Sequence, residues 1–422
     1  MTGEDFLNLN EEEEYLEQVS KCEEAFEKGE VSLLKFSEDE FDFLIGYFIE
    51  EGNDSLVYEL TKTAYTMHPY SSDLIVRYAD VLIVNREIER AIEILNNQMG
   101  FDSSNSDIFF LIGRAYLKRG EHLIARENIN KAIFLNSEDA VEMLTTAAQD
   151  YIDLSEYELA MNFLKEAEKL DDYNPEIYND IAFCLERLER FKESLVYYEK
   201  YIDSDPFNDS IWFNVGTIYA RIENFEKSIE AFDYALALDP GNSSVLYNKA
   251  IVYVNTENYV LAIETFKEFL NYEPDNIFAL IGIADAYLAN DQINESAVFF
   301  QVALGLDSAN IEANSGIAYI SLIKQDHFGA LIYLRKIIGS DRVDYLFLDS
   351  QLAITYKRTR LPEFLLYHLV SLYHLRSIDS FITNLEILLT LDELWLKKLY
   401  DIIPKLKKDK IITSRISKLK EK

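Results

Sequence analysis

The sequence predicts an all-α protein, an α-solenoid built from about eight or nine helix hairpins with helical caps. Residues 209–242 and 243–276 carry one 34-residue pattern twice, with no gap between the copies. With 14 glycines and 7 prolines in 422 residues, the chain has too few turn formers for an all-β protein. Four of the prolines occupy the same place in the repeat and so punctuate it: Pro69, Pro206, Pro240 and Pro274.

The first of these two copies shows why each unit is expected to be a pair of helices. One predicted helix face has the spacing i, i+3, i+4 and i+7: Trp212, Val215, Gly216 and Tyr219. The second predicted face has the spacing i, i+4 and i+7: Ser228, Phe232 and Ala235. Glu223-Asn224 is the predicted turn, and residues 239–242 (Asp-Pro-Gly-Asn) end the second helix. Such a hairpin buries its apolar faces only by stacking on its neighbours.

This pattern resembles the tetratricopeptide repeat family, whose motif places large, small, aromatic and proline residues in a set order. The first copy fills that order with Trp212, Val215-Gly216, Tyr219, Ser228, Phe232, Ala235 and Pro240. In the second copy the same places hold Leu246, Lys249-Ala250, Tyr253, Ala262, Phe266, Phe269 and Pro274. The resemblance implies a right-handed superhelical solenoid whose first helices line a concave groove.

The repeat spacing divides the chain into three regions. Residues 1–37 form an acidic segment, with the run Glu11 to Glu14, followed by a capping helix. The apolar side of that helix is predicted to hold Tyr15, Leu16, Val19, Cys22 and Phe26. The solenoid covers residues 38–342, with units near 38–71, 72–105, 106–139, 141–174, 175–208, 209–242, 243–276, 277–310 and 311–342. The extra residue Ala140 is expected in the turn between two units, and residues 343–422 are expected to form a diverged helical region.

Charge and composition exclude several classes of protein. The net charge of −35 disfavours DNA binding, which depends on neutralising phosphates, and favours basic partners. The two cysteines are far apart, so no disulfide framework is expected. The first residues do not have the pattern of a secretory signal, and no apolar run approaches a membrane span. A cytoplasmic address is the simplest expectation, and the richness in Ile, Asn, Tyr and Glu predicts an AT-rich bacterial genome.

The sequence offers no candidate for catalysis. The five histidines lie in different places along the chain, and no glycine-rich phosphate loop, Gly-x-Ser-x-Gly or His-Glu-x-x-His motif occurs. The many carboxylates follow predicted solvent faces, and no acid/base pair stands out. We therefore expect a non-enzymatic protein with no metal, no cofactor and no small-molecule substrate.

The family's groove positions divide the predicted binding surface into two parts. The charged part carries Arg77, Arg114, Lys118, Arg187 and Arg221 beside Asp73, Asp80, Asp153, Asp180 and Glu186. The apolar part carries Tyr247, Ile251, Val254, Phe278, Ile281, Leu288, Tyr319, Leu322 and Ile323. Asn214 and Asn248 match places that hold a peptide backbone in the family, but the lysines of the chaperone-binding subset are missing. Binding to the C-terminal tails of heat-shock chaperones is therefore not predicted.

These positions predict a scaffold or adaptor that binds a peptide or an amphipathic helix of a protein partner, at the junction of the two parts. The predicted binding residues are Arg187, Asn214, Arg221, Tyr247, Asn248, Ile251, Phe278, Ile281 and Tyr319. Two alternatives stay open for the apolar part: a partner fills it, or the chain's own helices after Val343 do.

The last 26 residues have the opposite charge to the rest of the chain. Residues 397–422 hold ten Lys/Arg and three Asp/Glu, a net of +7, so the remainder carries −42. One interpretation is an amphipathic capping helix whose cations meet the acidic solenoid. The alternative is a contact with RNA, the ribosome, an anionic membrane surface or a protein.

Overall fold

The computed structural model describes the backbone of residues 3–392 and 394–420, and the side chains of residues 16–392 and 394–417. This described part contains 24 α-helices, two short 3-10 turns and no strand, so the predicted all-α class is confirmed. The helices form two compact units, Met1–Pro206 and Phe207–Lys422. The side chains of the acidic run Glu11 to Glu14 and of Tyr15 lie outside the described residues.

The first unit consists of an N-terminal helix and five hairpins. Helix α1 spans Gly3–Lys28 and is followed by a 3-10 turn at Val31–Leu33. The hairpin helices are α2 (Glu38–Glu50), α3 (Asp54–Met67), α4 (Ser72–Val84), α5 (Ile88–Met99), α6 (Ser106–Lys118), α7 (His122–Leu135), α8 (Ala140–Asp153), α9 (Tyr157–Leu170), α10 (Pro175–Arg187) and α11 (Phe191–Ser204).

The second unit consists of four hairpins and a C-terminal helical group. The hairpin helices are α12 (Asp209–Arg221), α13 (Phe225–Leu238), α14 (Ser243–Asn255), α15 (Tyr259–Phe269), α16 (Ile277–Ala289), α17 (Ile293–Leu306), α18 (Ile311–Ile323) and α19 (His327–Ile337). The C-terminal group holds α20 (Tyr345–Thr359), α21 (Pro362–His374), α22 (Ile378–Leu391), α23 (Leu394–Ile402), a 3-10 turn at Pro404–Lys408 and α24 (Lys410–Lys420).

Every hairpin turns through one residue with a left-handed backbone. In the predicted turn, the Glu223 amide donates to Ala220 O at 3.0 Å and the Asn224 amide donates to Tyr219 O at 2.9 Å, which closes the first helix. The nine left-handed residues are Gly52, Arg86, Gly120, Ser155, Glu189, Glu223, Glu257, Asp291 and Gln325. Their spacing is 34 residues except between Gly120 and Ser155, where it is 35 because of the inserted residue.

The inserted residue lies in a helix and not in a turn. Four residues, 136–139, precede α8, as four residues precede α10, and α8 has 14 residues where α10 has 13. The prediction that Ala140 falls in the turn is therefore wrong, because Ala140 begins α8 and is buried. Helix α8, which contains the additional residue, also lacks a side-chain N-cap. Asn side chains accept from the first turn of the other first helices from α6 onward, but Asp139 makes no such bond to α8.

Small residues set the distance between the helices of a hairpin, as the sequence predicts for Gly216 and Ser228. A Cβ at Gly216 would lie 2.6 Å from the Phe232 ring, closer than atoms of this kind approach. The Ser228 hydroxyl donates to Gly216 O at 2.7 Å, so this buried hydroxyl group has a hydrogen-bond partner. The serine therefore adds a hydrogen bond between the helices, a role that its small size alone does not predict.

The N-terminal helix covers the first hairpin with part of its predicted apolar side. Val19 and Cys22 are buried in one core with Phe41 of α2. The predicted apolar side is covered only in part, since Leu16 is 62% and Phe26 36% exposed. Leu16 lies outside the buried stripe, and Phe26 lies close to the C-terminal end of α1.

Candidate functional site

Helices α12, α14, α16 and α18 are the first helices of their hairpins and contact one another in this order. Eight of the nine predicted binding residues lie on these four helices of the second unit. Arg187 lies on α10 in the first unit, where its Nε donates to the Tyr157 hydroxyl at 3.1 Å. The apolar side chains of α14 and α16 that share the predicted groove positions are called the apolar face here: Tyr247, Ile251, Val254, Phe278, Ile281 and Leu288.

Phe278 is the most exposed residue of the apolar face. Its residue surface is 73% exposed, although α16 around it is well packed. The other eight hairpins have a polar residue at this place: Asp39, Asp73, Asp107, Glu142, Glu176, Ser210, Ser244 and Glu312. The hairpin fold therefore does not require an aromatic ring here. Ile251 of α14 is 36% exposed, while Ile281 and Leu288 of α16 are half-buried beside them.

Tyr247 contributes to both the hairpin interior and the apolar face. Its ring centroid lies 5.7 Å from that of Phe266 and 5.5 Å from that of Phe269, both on α15. Burial raises the pKa of the Tyr247 hydroxyl. Removing this ring would therefore disturb packing as well as any bound partner.

Tyr319 is covered by the chain itself. Its ring stacks on Phe347 of α20, with the centroids 3.9 Å apart, and Leu322 is buried in the same core. Helices after Val343 thus fill the part of the predicted groove that belongs to α18. They do not cover Phe278, which is exposed, so the chain's own helices fill the α18 part of the predicted groove but not the α16 part.

The polar residues next to the apolar face lie on α12 and α14. The Asn248 amide nitrogen donates to Ser244 O in its own helix at 2.9 Å. Asn214 is half-buried, and its side chain makes no hydrogen bond to a described residue. Arg221 is exposed at the end of α12. Asn214 is therefore the better placed of the two amides for a partner's backbone.

Asp285 lies beside the apolar face, and its carboxylate was not among the groove residues predicted from the sequence. It lies on α16, seven residues after Phe278 and four after Ile281, so the three share one helix face. The carboxylate retains access to solvent, but the surrounding protein displaces much of its water and raises its pKa to about 6. No cation among the described residues forms an ion pair with it. A ligand that brings a positive charge would supply the missing partner.

In the first unit, the corresponding helices carry charges that satisfy each other. Arg114 of α6 donates to Asp80 of α4 at 2.5 Å and to Asp150 of α8 at 2.7 Å. Lys118 lies 2.7 Å from the same Asp150 carboxylate, and Arg77 pairs with Asp42 of α2. Burial lowers the pKa of Arg114, but the carboxylates of Asp150 and Asp80 raise it by more.

Arg77, Arg114 and Lys118 were predictable as groove residues from the sequence, whereas their partners Asp42 and Asp150 were not. Asp150 lies one position beyond the usual groove places and is 4% exposed. Through Arg114, these ion pairs connect the first helices α4, α6 and α8. Arg114 and Lys118 therefore stabilise the packing of the first unit.

An acidic cavity of about 600 Å³ lies between the beginnings of α8 and α10 in the first unit. Its carboxylates are Glu138, Asp139, Glu142, Glu176 and Asp180. Burial, together with the charge of Glu176, raises the pKa of Asp180 to about 6. The cavity has no lysine or arginine in its lining, which suits a basic segment better than an acidic one.

Comparison with protein families assigns the repeats. Residues 175–208 and 243–276 match one model described as "Tetratricopeptide repeat", and residues 210–242 match a second model with the same description. These matches cover the two copies from which the pattern was derived and the hairpin before them. The three successive hairpins within residues 175–276 are therefore tetratricopeptide repeats. A comparison with curated protein sequences found no match.

Solved structures with a similar arrangement include other tetratricopeptide repeat (TPR) proteins. The C-terminal part of a TPR repeat-containing protein from Cytophaga hutchinsonii is 18% identical, with a TM-score of 0.49 over 57% of this chain and 99% of that one. PilF from Pseudomonas aeruginosa is 16% identical, with a TM-score of 0.39 over 53% and 97%. YrrB, described as a TPR protein with an unusual peptide-binding site, is 23% identical, with a TM-score of 0.33 over 45% and 97%.

The TPR repeats point to a protein–protein interaction scaffold, a class that is generally non-enzymatic. Within the described residues, no group of three or more His, Cys, Asp or Glu is arranged to hold a metal ion. Burial raises the pKa of both Cys22 and Cys184 to about 12, so neither thiol is a ready nucleophile. No helix in the described part of the chain is long and apolar enough to span a membrane.

Proposed function

We propose that the second unit binds an amphipathic helix of a protein partner on the apolar face. The observation that carries this proposal is Phe278, an exposed ring at a place where every other hairpin has a polar residue. Exposing an aromatic ring brings no benefit to the folded chain, whereas burying it against a partner contributes about 1.5–3 kcal/mol. Exposed apolar patches of this kind mark interaction sites in other proteins.

The spacing of the apolar face fits a helix better than an extended peptide. Phe278, Ile281 and Leu288 follow the surface of α16, and Ile251 lies beside them on α14. A partner helix with apolar residues at i, i+3, i+4 and i+7 can lie in the depression between two such helices. Asn214, on the neighbouring α12, offers an amide at the edge.

Asp285 adds a charge requirement to this proposal. Its carboxylate retains access to solvent but forms no ion pair with a described residue, and partial loss of its water raises its pKa. A lysine or arginine on the partner helix, flanked by apolar residues, would pair with it. The partner is therefore an amphipathic helix with one basic residue within its apolar stripe.

A displayed peptide library tested against the full chain measures this proposal directly. Selected peptides are expected to carry the helical apolar spacing with one Lys or Arg, and to lose at least about 30-fold in affinity when Phe278→Ser and Ile251→Ser are combined. Tyr247 and Tyr319 are left intact because their rings pack inside the protein.

The matched control removes two exposed valines from the other helix of the same hairpin, Val298→Ser and Val302→Ser on α17. It should leave peptide affinity unchanged. Equal losses in both double variants, or selected peptides with no helical spacing, would contradict the proposed site. Circular dichroism of each variant verifies that the fold is retained.

A further inference from the structure

The basic C-terminal segment buries one side of its helices and exposes the other. Leu399, Leu406, Ile412 and Ile416 are buried in one core with helices α21 and α22. This agrees with an amphipathic segment that packs on the C-terminal group. The charges of the segment face the other way, toward solvent.

Few of these charges meet a carboxylate. Lys405 lies 3.0 Å from Asp341, and Arg415 lies 2.5 Å from Asp379. The remaining five cations of the segment with described side chains are exposed and form no ion pair with a described residue: Lys397, Lys398, Lys407, Lys408 and Lys410. We call these five residues the lysine surface. Asp341 belongs to the solenoid region, whereas Asp379 lies on α22 in the C-terminal group. Among the described side chains of the segment, Lys405 alone therefore forms an ion pair with the acidic solenoid.

Pairing of this kind is readily available elsewhere in the chain. In the first unit, Arg77, Arg114 and Lys118 all pair with carboxylates of neighbouring helices. A chain with 75 acidic residues offers many such partners. The absence of any ion pair at the lysine surface among the described residues is thus a local feature, and it leaves five exposed lysines within residues 397–410 of an acidic protein.

Exposed aliphatic side chains accompany the lysines. Leu394 is 54% exposed on α23, and it shares a helix face with Lys397 and Lys398. Ile411 is 60% exposed and follows Lys410 at the start of α24. Lysines next to exposed aliphatic residues are typical of segments that lie on a membrane surface.

The aromatic residues of the segment are less suited to nucleic acid. The Lys398 ammonium lies 3.8 Å from the centroid of the half-buried Trp395 ring, and the Lys407 ammonium lies 5.5 Å from that of Tyr400. Sequence-tolerant binding of single-stranded RNA relies on open ring faces on which bases stack. Here the lysines already cover the rings, so the surface offers charge and aliphatic contact but little stacking.

We propose that the lysine surface docks the protein on a membrane surface of anionic phospholipids. The ammonium groups contact lipid phosphates, and Leu394 and Ile411 enter the headgroup region. Each lysine near such a surface contributes about 1 kcal/mol, so five provide a useful, reversible affinity without a spanning helix. This surface is separate from the apolar face, and a scaffold with both would hold its protein partner at a membrane.

Vesicle co-sedimentation of the full chain tests this inference. We expect binding to vesicles of phosphatidylcholine with about one third phosphatidylglycerol, and little binding to phosphatidylcholine alone, with a decline as salt is raised. Combining Lys397→Ala, Lys408→Ala and Lys410→Ala should weaken the binding about 100-fold, since about 1 kcal/mol is lost at each position. The matched control is Lys35→Ala, Lys169→Ala and Lys192→Ala, which removes three exposed lysines elsewhere and should leave binding intact.

Two further variants separate lipid from RNA and from the apolar face. Leu394→Ser with Ile411→Ser should weaken vesicle binding, because the headgroup contact is lost. Phe278→Ser with Ile251→Ser should leave it unchanged, so this inference and the proposed peptide site fail independently. Equal losses in the two lysine triples, no preference for anionic vesicles, or tail-dependent binding of bulk transfer RNA in place of vesicles would overturn the proposal.

Discussion

The two units use the same hairpin to build opposite surfaces on their first helices. In the first unit, the side chains at the groove positions are charged, and Arg114 holds Asp80 and Asp150 at once. In the second unit, the same kind of helix presents Phe278 and Ile251 to solvent and leaves Asp285 without a cation. The charges on α4, α6 and α8 are paired within the chain, whereas Phe278 is uncovered and Asp285 forms no ion pair with a described residue.

A single repeat position illustrates this difference. Asp80, Arg114, Ile251 and Asp285 all occupy the ninth place of their hairpins. Asp80 and Arg114 join neighbouring helices through an ion pair. Ile251 is instead partly exposed, and Asp285 forms no ion pair with a described residue. The hairpin therefore does not dictate the residue type at this place. The residue type at the ninth place depends either on contact with a neighbouring helix or on contact with a ligand.

The largest expected effect concerns the charges of the first unit. Asp150→Ala leaves Arg114 and Lys118, both mostly buried, without their shared carboxylate and should reduce the free energy of unfolding by about 3–5 kcal/mol. Urea denaturation followed by circular dichroism measures the loss. Asp153→Ala is the control, because its exposed carboxylate lies 3.9 Å from Lys118 and should contribute less than about 1 kcal/mol. A similar small loss in both would mean that the first unit does not depend on this ion pair.

Phe278→Glu makes the second unit resemble the first, since acidic residues occupy this place in six of the other hairpins. We expect a loss of at least about 2 kcal/mol in peptide binding, because a charge replaces a buried ring. Stability should change by less than about 0.5 kcal/mol, because the side chain is exposed. Calorimetric titration and urea denaturation of one preparation measure the two quantities. A large loss of stability with binding retained would show that the ring serves the fold.

Asp285 makes partner binding depend on pH. Because only the ionised carboxylate attracts a cation, affinity should rise as pH increases through the Asp285 pKa of about 6. At pH 5 roughly a tenth of the group is ionised, so binding should be about tenfold weaker than at pH 7. Binding measured from pH 5 to 7 should lose this dependence in Asp285→Asn.

The folding stability of the unbound protein should depend on pH in the opposite direction to partner affinity. The folded pKa of Asp285 lies above its ordinary value of 3.8, so its ionisation opposes folding as pH rises from about 4 to 6. Asp285→Asn should therefore stabilise the unbound chain slightly at pH 7. A pH dependence of binding that persists in this variant would assign it to another group.

The smallest effect concerns the helix caps. Asn242→Ala removes the side chain that accepts from the Val245 amide at 3.2 Å, and should destabilise the second unit by about 1 kcal/mol. Asp139→Ala should change stability far less, because Asp139 makes no capping bond to α8 in the first unit. Thermal unfolding of the two variants compares them directly. Equal losses would mean that Asp139 also caps its helix in solution.

Much of the solenoid could be predicted because its signals are local. The period of 34 residues, the small residues at Gly216 and Ser228 and the turn at Glu223 all follow from residues close in the sequence. The insertion at Ala140 could be counted but not placed, since either a longer turn or a longer helix satisfies the same spacing. Burial decided that point, because Ala140 packs inward as the first residue of α8.

The candidate site was predictable only in outline. The groove positions that the family resemblance implies selected Ile251 and Phe278 together with Tyr319. They do not reveal that Phe347 covers Tyr319, because that contact joins helices brought together by the packing of the C-terminal group. Asp285 escaped notice for the same reason, since a carboxylate without a partner is visible only when the surrounding side chains are known.

The sequence by itself determined the hairpin, its repeat and the position of each residue within it, because these depend on the period of a helix and on the conformations of turns. The tertiary structure alone decided which charges are paired, which apolar residues stay open and which lysines find no carboxylate. Those outcomes depend on distances between side chains far apart in the chain. The apolar face and the lysine surface stand out because Phe278 stays exposed and the five lysines form no ion pair with a described residue.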